Sequence, residues 1–218
     1  MIAEERIFGS RGELADALAR DVEADLARAL AARGTALLAV SGGSTPALFF
    51  ERLSRAPIDW RKVRVTLVDE RQVPETSDRS NARLVRQHLL RHESAAATFI
   101  PLYDNPDATK LPAFDVVILG MGSDGHTASF FPGGDRLQEA IDPGGRERLI
   151  SITAPGAGEP RLTFTLPALL AAGTISLHIE GAQKREVLKR ALEAGPQAEM
   201  PVRAVLRSPK PMTLYWCP

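Results

Sequence analysis

The chain has a single cysteine, Cys217, among 218 residues. One thiol excludes an internal disulfide and suits a reducing compartment. Surplus charge is also missing: 27 Lys and Arg residues stand against 27 Asp and Glu. No long-range positive field is therefore available to hold a nucleic-acid backbone or an anionic membrane, and any anion site has to be local. No apolar run is long enough to span a bilayer. The first 17 residues carry acids where a secretion signal needs a basic start and an apolar stretch. These absences lead us to expect a cytoplasmic protein that acts on a small molecule, with no nucleic-acid or membrane partner. Nothing in the sequence specifies an oligomeric state.

What is present is a regular alternation of apolar β-rich runs with helical periods. Hydrophobic residues make up 44% of the chain and charged residues 25%, enough for one core spanning residues 1–218 as a single domain. The alternation predicts a three-layer α/β fold: a mainly parallel sheet with helices on both faces. The first helix is expected to start at Ser10, with Glu13 closing a capping box, and to stop at Gly34. Strands are expected at 36–40, 62–68, 114–120, 148–153, 174–180 and 212–216. Thr45 followed by Pro46 reads as an N-cap and first-turn proline for a helix over 46–54. Ser80 reads as the cap of a helix over 81–90, and further helices are expected at 166–172 and 183–194. The Gly- and Pro-rich segment 154–160 reads as a flexible loop.

The glycine-rich stretch at 118–133, ILGMGSDGHTASFFPG, follows the most apolar strand. Its Gly120-x-Gly122-x-x-Gly125 spacing imitates a dinucleotide fingerprint, but that motif needs a long helix at its third glycine. Pro132-Gly133 cuts such a helix short. The stretch reads instead as a tight turn at the carboxyl end of a strand, where ligands of open α/β sheets bind. Gly122 would let backbone approach a substrate. His126 could be a mere capping or core histidine, but Asp124, two residues earlier, could orient its ring for taking a proton from water.

A second turn, Ser41 to Pro46 (SGGSTP), offers Gly42, Gly43, Ser44 and Thr45 at a helix start, a local anion cradle that needs no basic surplus. The blander reading is an ordinary βα turn. Without the lysine of a nucleoside-triphosphate loop, it suits a phosphorylated metabolite better than ATP. Third, Asp69, Glu70 and Arg71 emerge directly from a strand, and Arg79 follows before the next helix; charged loops are usually only solvated, but this triplet sits at the active edge. His88 and His92 lie four apart without a third metal ligand in view. His178 reads as a strand residue without chemistry. Trp60, Trp216, Phe49 and Phe50 read as packing groups.

The segments LAVSGGSTP, VTLVDERQVPETSDRSN, FDVVILGMGSDGHTASFFPG, RLTFTLPAL and GAQKREVLK, in that order, resemble the 6-phosphogluconolactonases of the pentose phosphate pathway. The likeness runs along nearly the whole chain. Glucosamine-6-phosphate deaminases share the fold, so the broad motifs do not separate the two reactions. Deaminases carry a glutamate shortly after the motif histidine, where this chain has Phe130-Phe131-Pro132. Arg161-Leu162-Thr163 also matches the lactonase pattern. Many lactonases place a lysine just before that arginine. Residues 154–160 have none, so Arg161 or Lys184 would supply that cation.

The resemblance implies hydrolysis of a phosphorylated lactone without metal or redox cofactor. His126 would be the general base, Asp124 its orienter, Arg71 an oxyanion donor or phosphate clamp, and residues 42–45 the phosphate anchor. Two rivals are set against it. A serine esterase would use Ser41, Asp115 and His126, although Ala39 replaces the first glycine of a nucleophile elbow. A non-catalytic sugar-phosphate sensor would need a DNA-binding module, for which there is no room before residue 36.

Overall fold

The computed structural model describes residues 1–218. In chain order the elements are β1 Ile2–Ile7, α1 Arg11–Arg33, β2 Ala36–Val40, α2 Ala47–Leu53, β3 Val63–Leu67, β4 Asp69–Arg71, α3 Asn81–His88, β5 Thr98–Ile100, β6 Val116–Leu119, α4 Leu137–Ile141, β7 Leu149–Ile152, β8 Arg161–Phe164, α5 Leu166–Leu170, β9 Thr174–Glu180, α6 Ala182–Leu192, α7 Val202–Leu206 and β10 Met212–Cys217. Seven strands form one parallel sheet in the order β1-β10-β9-β6-β2-β3-β5. Helices α1, α2 and α3 pack in succession as one layer, and α4, α5, α7 and α6 pack as another. This is the expected three-layer, mainly parallel α/β fold.

The central strands have no polar face because both sides are covered. All residues of β2 and β6 are buried, which is why they read as unbroken apolar runs. Fifty-nine buried hydrophobic residues form one continuous cluster through the layers. Ser10 caps α1 by accepting from the Glu13 N–H at 3.2 Å. The Glu13 carboxylate accepts from the Gly9 N–H at 2.9 Å, one residue earlier than a capping box predicts. Gly34 ends α1 with φ +75°, the left-handed conformation glycine tolerates. Ser80 caps α3 through the Arg83 N–H, as expected.

Two expectations need correction. Thr45 does not cap α2: the helix starts at Ala47, Pro46 occupies the cap position, and no side chain bonds there. The N–H groups of the Thr45 turn thereby stay unclaimed by a cap. Residues 148–153 do form a strand, but β7 lies outside the parallel sheet. It belongs to a separate antiparallel sheet of order β4-β8-β7, which sequence patterning did not foresee. The strands β1, β4, β5 and β8 and the short helices α4 and α7 were also missed. β1 is an edge strand with mostly exposed residues, and β4 is three charged residues long, so neither presents an apolar run.

Candidate active site

Strands β2, β3 and β6 are parallel neighbours, so their carboxyl ends open on one edge of the sheet. There the turn after β2, the β4 extension after β3 and the turn after β6 enclose a cavity of about 240 Å³. Ser44, Arg71 and His126 all line it, together with Gly42, Gly43, Thr45, Asp69, Gly122, Arg161 and Lys184.

His126 sits in a turn that its own backbone holds. The Gly122 N–H donates to the His126 carbonyl at 2.8 Å, and the Thr127 hydroxyl donates to the Gly120 carbonyl at 2.7 Å. A Cβ on residue 122 would stand 2.1 Å from His126 Nδ1, so only glycine leaves room for the ring. Nδ1 lies 2.6 Å from Asp124 Oδ1, and the same oxygen accepts from the His126 N–H at 3.1 Å. Burial alone would raise the Asp124 pKa, but hydrogen bonding to His126 and its charge outweigh burial and hold the carboxyl below its usual range. An ionised Asp124 places the imidazole proton on Nδ1 and leaves Nε2 as the basic nitrogen. The ring stacks on Phe131, centroid to centroid 4.1 Å. Phe131 in turn lies under the Arg161 guanidinium at 5.2 Å.

The turn after β2 keeps its donors free. The backbone N–H groups of Gly43, Ser44 and Thr45 bond to no protein acceptor, the condition for an anion cradle. Ser41 is different. Its hydroxyl donates to the Ile118 carbonyl at 3.0 Å and accepts from the Gly120 N–H at 3.1 Å, a structural clamp between β2 and β6. Asp115 lies at the opposite end of β6, pairing with Arg33 and accepting from the Leu37 N–H at 2.7 Å. Ser41, Asp115 and His126 therefore form no triad.

Arg71 and Arg161 face each other in register across β4 and β8. Two guanidinium groups set opposite one another repel. Burial and Arg71 together lower the Arg161 pKa against the pull of Asp69 and Glu159. Arg71 Nε and Arg161 Nε are both buried without a partner. Asp69 is committed elsewhere, accepting from the Ser129 hydroxyl at 2.6 Å and standing 4.0 Å from Arg161. Such an arrangement is suited to an anionic ligand. Lys184, in the first turn of α6, donates to the Met121 carbonyl. Burial lowers its pKa, with Asp124 pulling the other way.

Two residues sit otherwise than expected. The Arg79 side chain pairs with Glu159 and lies outside the cavity lining; its carbonyl accepts from Arg71 Nη1 at 2.7 Å. His178 is a strand residue, but its buried ring lines the cavity, with Nε2 3.1 Å from Glu180. Asn81 lines the cavity although sequence reasoning did not single it out. Asn81 directly follows a helix cap, the only local signal of its place. Among the packing groups, Trp60, Phe49 and Phe50 are buried, whereas Trp216 is partly exposed beneath Arg185.

Fold and site together define an α/β protein in which a carboxylate-held imidazole and a turn with free backbone N–H groups share one cleft at the carboxyl edge of a parallel sheet. The profile of the family described as "Glucosamine-6-phosphate isomerases/6-phosphogluconolactonase" matches residues 9–216, and the chain belongs to that family. It is 54% identical over 232 residues to a 6-phosphogluconolactonase of Rhizobium meliloti (strain 1021), with 100% of both chains covered. To that of Mesorhizobium japonicum it is 50% identical over 225 residues, covering 97% and 94%. The crystal structure of a 6-phosphogluconolactonase from Shewanella baltica OS155 superposes with a TM-score of 0.94 at 38% identity, covering 99% of this chain and 97% of that one.

Proposed function

We propose that the protein hydrolyses 6-phosphogluconolactone to 6-phosphogluconate, with His126 as general base. The observation that carries this reading is the Asp124–His126 pair, which leaves a basic Nε2 in the same cavity as the free N–H groups of residues 43–45. Nε2 takes a proton from water as the water oxygen attacks the lactone carbonyl. The tetrahedral oxyanion forms beside cationic donors, Arg71 foremost. The carbonyl re-forms, the ring C–O bond breaks, and the imidazolium returns its proton to the departing ring oxygen. Asp124 stays ionised throughout and steadies the transient positive charge. The phosphate, remote from the breaking bond, binds the turn at 42–45 with Lys184 and Arg161 as its cations.

Similarity to named lactonases over the whole chain supports this choice over deamination. So does Phe131, an apolar ring stacked where the resemblance to deaminases would call for a carboxylate. The test is an assay following lactone loss above its spontaneous hydrolysis, with glucosamine 6-phosphate in parallel. Lactone hydrolysis without ammonia release is expected. Ammonia released and no lactone turnover would overturn the reading. The chain contains no helix long and apolar enough to cross a membrane; its cytoplasmic placement is part of this proposal.

A further inference from the structure

The geometry points to Asn81 as a positioning residue that locks the Arg71 guanidinium against the phosphate turn. Asn81 is the first residue of α3 and is only 3% exposed. Its amide is divided between two partners on β4. Nδ2 donates to the Asp69 carbonyl at 2.9 Å, and Oδ1 accepts from Arg71 Nη1 at 2.7 Å. The third contact is with the β2 turn. A Cβ at residue 42 would stand 1.9 Å from Asn81 Oδ1, so the Gly42 backbone lies directly against the amide. One side chain thus touches the anion turn, the backbone that carries Asp69, and the guanidinium that faces the cavity.

The backbone that carries this amide is held. Glu70 accepts from the N–H groups of Asn81 and Ala82 at 2.8 and 2.7 Å, from the Ser80 hydroxyl at 3.1 Å and from the Arg71 N–H at 2.7 Å. Burial pushes the Glu70 pKa up against these donors. The α3 N-terminus is thereby bolted to β4, and Asn81 cannot swing away without breaking the cluster. Arg71 needs such a tether. It faces Arg161, its Nε has no partner, and its two acceptors are the Arg79 carbonyl and Asn81 Oδ1. Without Asn81, repulsion from Arg161 would let the guanidinium leave the cavity edge. Loss of the amide would also free the contact that keeps Arg71 in register with residues 42–45.

This inference rests on the reading of Arg71 as a group that touches substrate, and two readouts keep the claims apart. The first needs no activity: the Arg71 Nε–H signal in a ¹⁵N-labelled protein, assigned by its absence in Arg71→Lys. A sharp, slowly exchanging signal is expected in wild type and in Asn81→Asp, which keeps an oxygen for Arg71, but not in Asn81→Leu, which is similar in size and lacks both hydrogen bonds. A signal unchanged in Asn81→Leu overturns the positioning role whatever the rate. The second is kinetic. Asn81→Leu should lower kcat/KM by about tenfold to a hundredfold, a charge-assisted hydrogen bond being at stake. Combined with Arg71→Ala, it should add little further loss, because both remove one unit. Additive losses overturn the inference. If Arg71→Ala turns over lactone like wild type while Asn81→Leu still loses the signal, the role given to Arg71 fails and the tether stands.

Discussion

Removing the imidazole of His126 separates a catalytic histidine from a structural one. The turn that carries it is fastened by backbone and Thr127 bonds that do not involve the ring, so His126→Ala should keep its shape. The ring contributes its stacking on Phe131, worth about 0.5–1.5 kcal/mol. It also contributes a partly exposed hydrogen bond to Asp124 of similar size, about 0.5–1.5 kcal/mol. A loss of about 1–3 kcal/mol leaves a domain of ordinary stability folded. The catalytic cost is larger: loss of a general base lowers kcat by roughly a hundredfold to ten-thousandfold, about 2.7–5.5 kcal/mol of barrier. Steady-state lactone hydrolysis, corrected for the spontaneous reaction, measures kcat. Calorimetric titration with 6-phosphogluconate measures the phosphate anchor, which should survive. His126→Asn, which keeps hydrogen bonding but no basic nitrogen, should be nearly as inactive. A folded, ligand-binding variant with kcat close to wild type would refute the mechanism, as would a variant whose whole defect is lost stability.

Ser44→Ala and Thr45→Ala should raise KM more than they lower kcat, because contacts to a remote phosphate change little in the transition state; a pure kcat loss in steady-state kinetics would assign the turn another task. Lys184 should give an alkaline limit to product binding: with its pKa lowered by burial, the cation disappears as pH rises at a lower pH than an ordinary lysine, whose reference is about 10.4. Titrations across pH should show 6-phosphogluconate affinity falling on that limb in wild type and holding to higher pH in Lys184→Arg; identical limbs would exclude Lys184 as the phosphate cation. Ser41→Ala should destabilise by about 1–3 kcal/mol through the orphaned Gly120 N–H, measured by denaturant unfolding, while kcat stays near wild type. A covalent adduct of Ser41 with an organophosphonate probe would revive the esterase reading.

The sequence by itself determined the layers and the loops that line the cavity. Strands β2 and β6 are covered on both faces, so burial imposed unbroken apolar runs, and the caps at Ser10, Gly34 and Ser80 are local events written in adjacent residues. The same locality made the Asp124–His126 pair legible, since the partners lie two positions apart, and made the glycine- and hydroxyl-rich turn at 42–45 stand out. Only the tertiary structure decided which of the charged groups meet. Arg71 and Arg161 are brought opposite each other by the antiparallel pairing of β4 and β8, strands of three and four residues too short to announce themselves. Arg79 is drawn outward to Glu159. His178 is brought to the cavity because β9 lies beside β6, and Asn81 to the turn at 42–45 because α3 docks on Glu70. Local pattern encodes which face of an element is apolar and where it ends. It does not encode long-range pairing, because a charged residue near a strand end has the same sequence signature whether it meets a ligand, a partner or water.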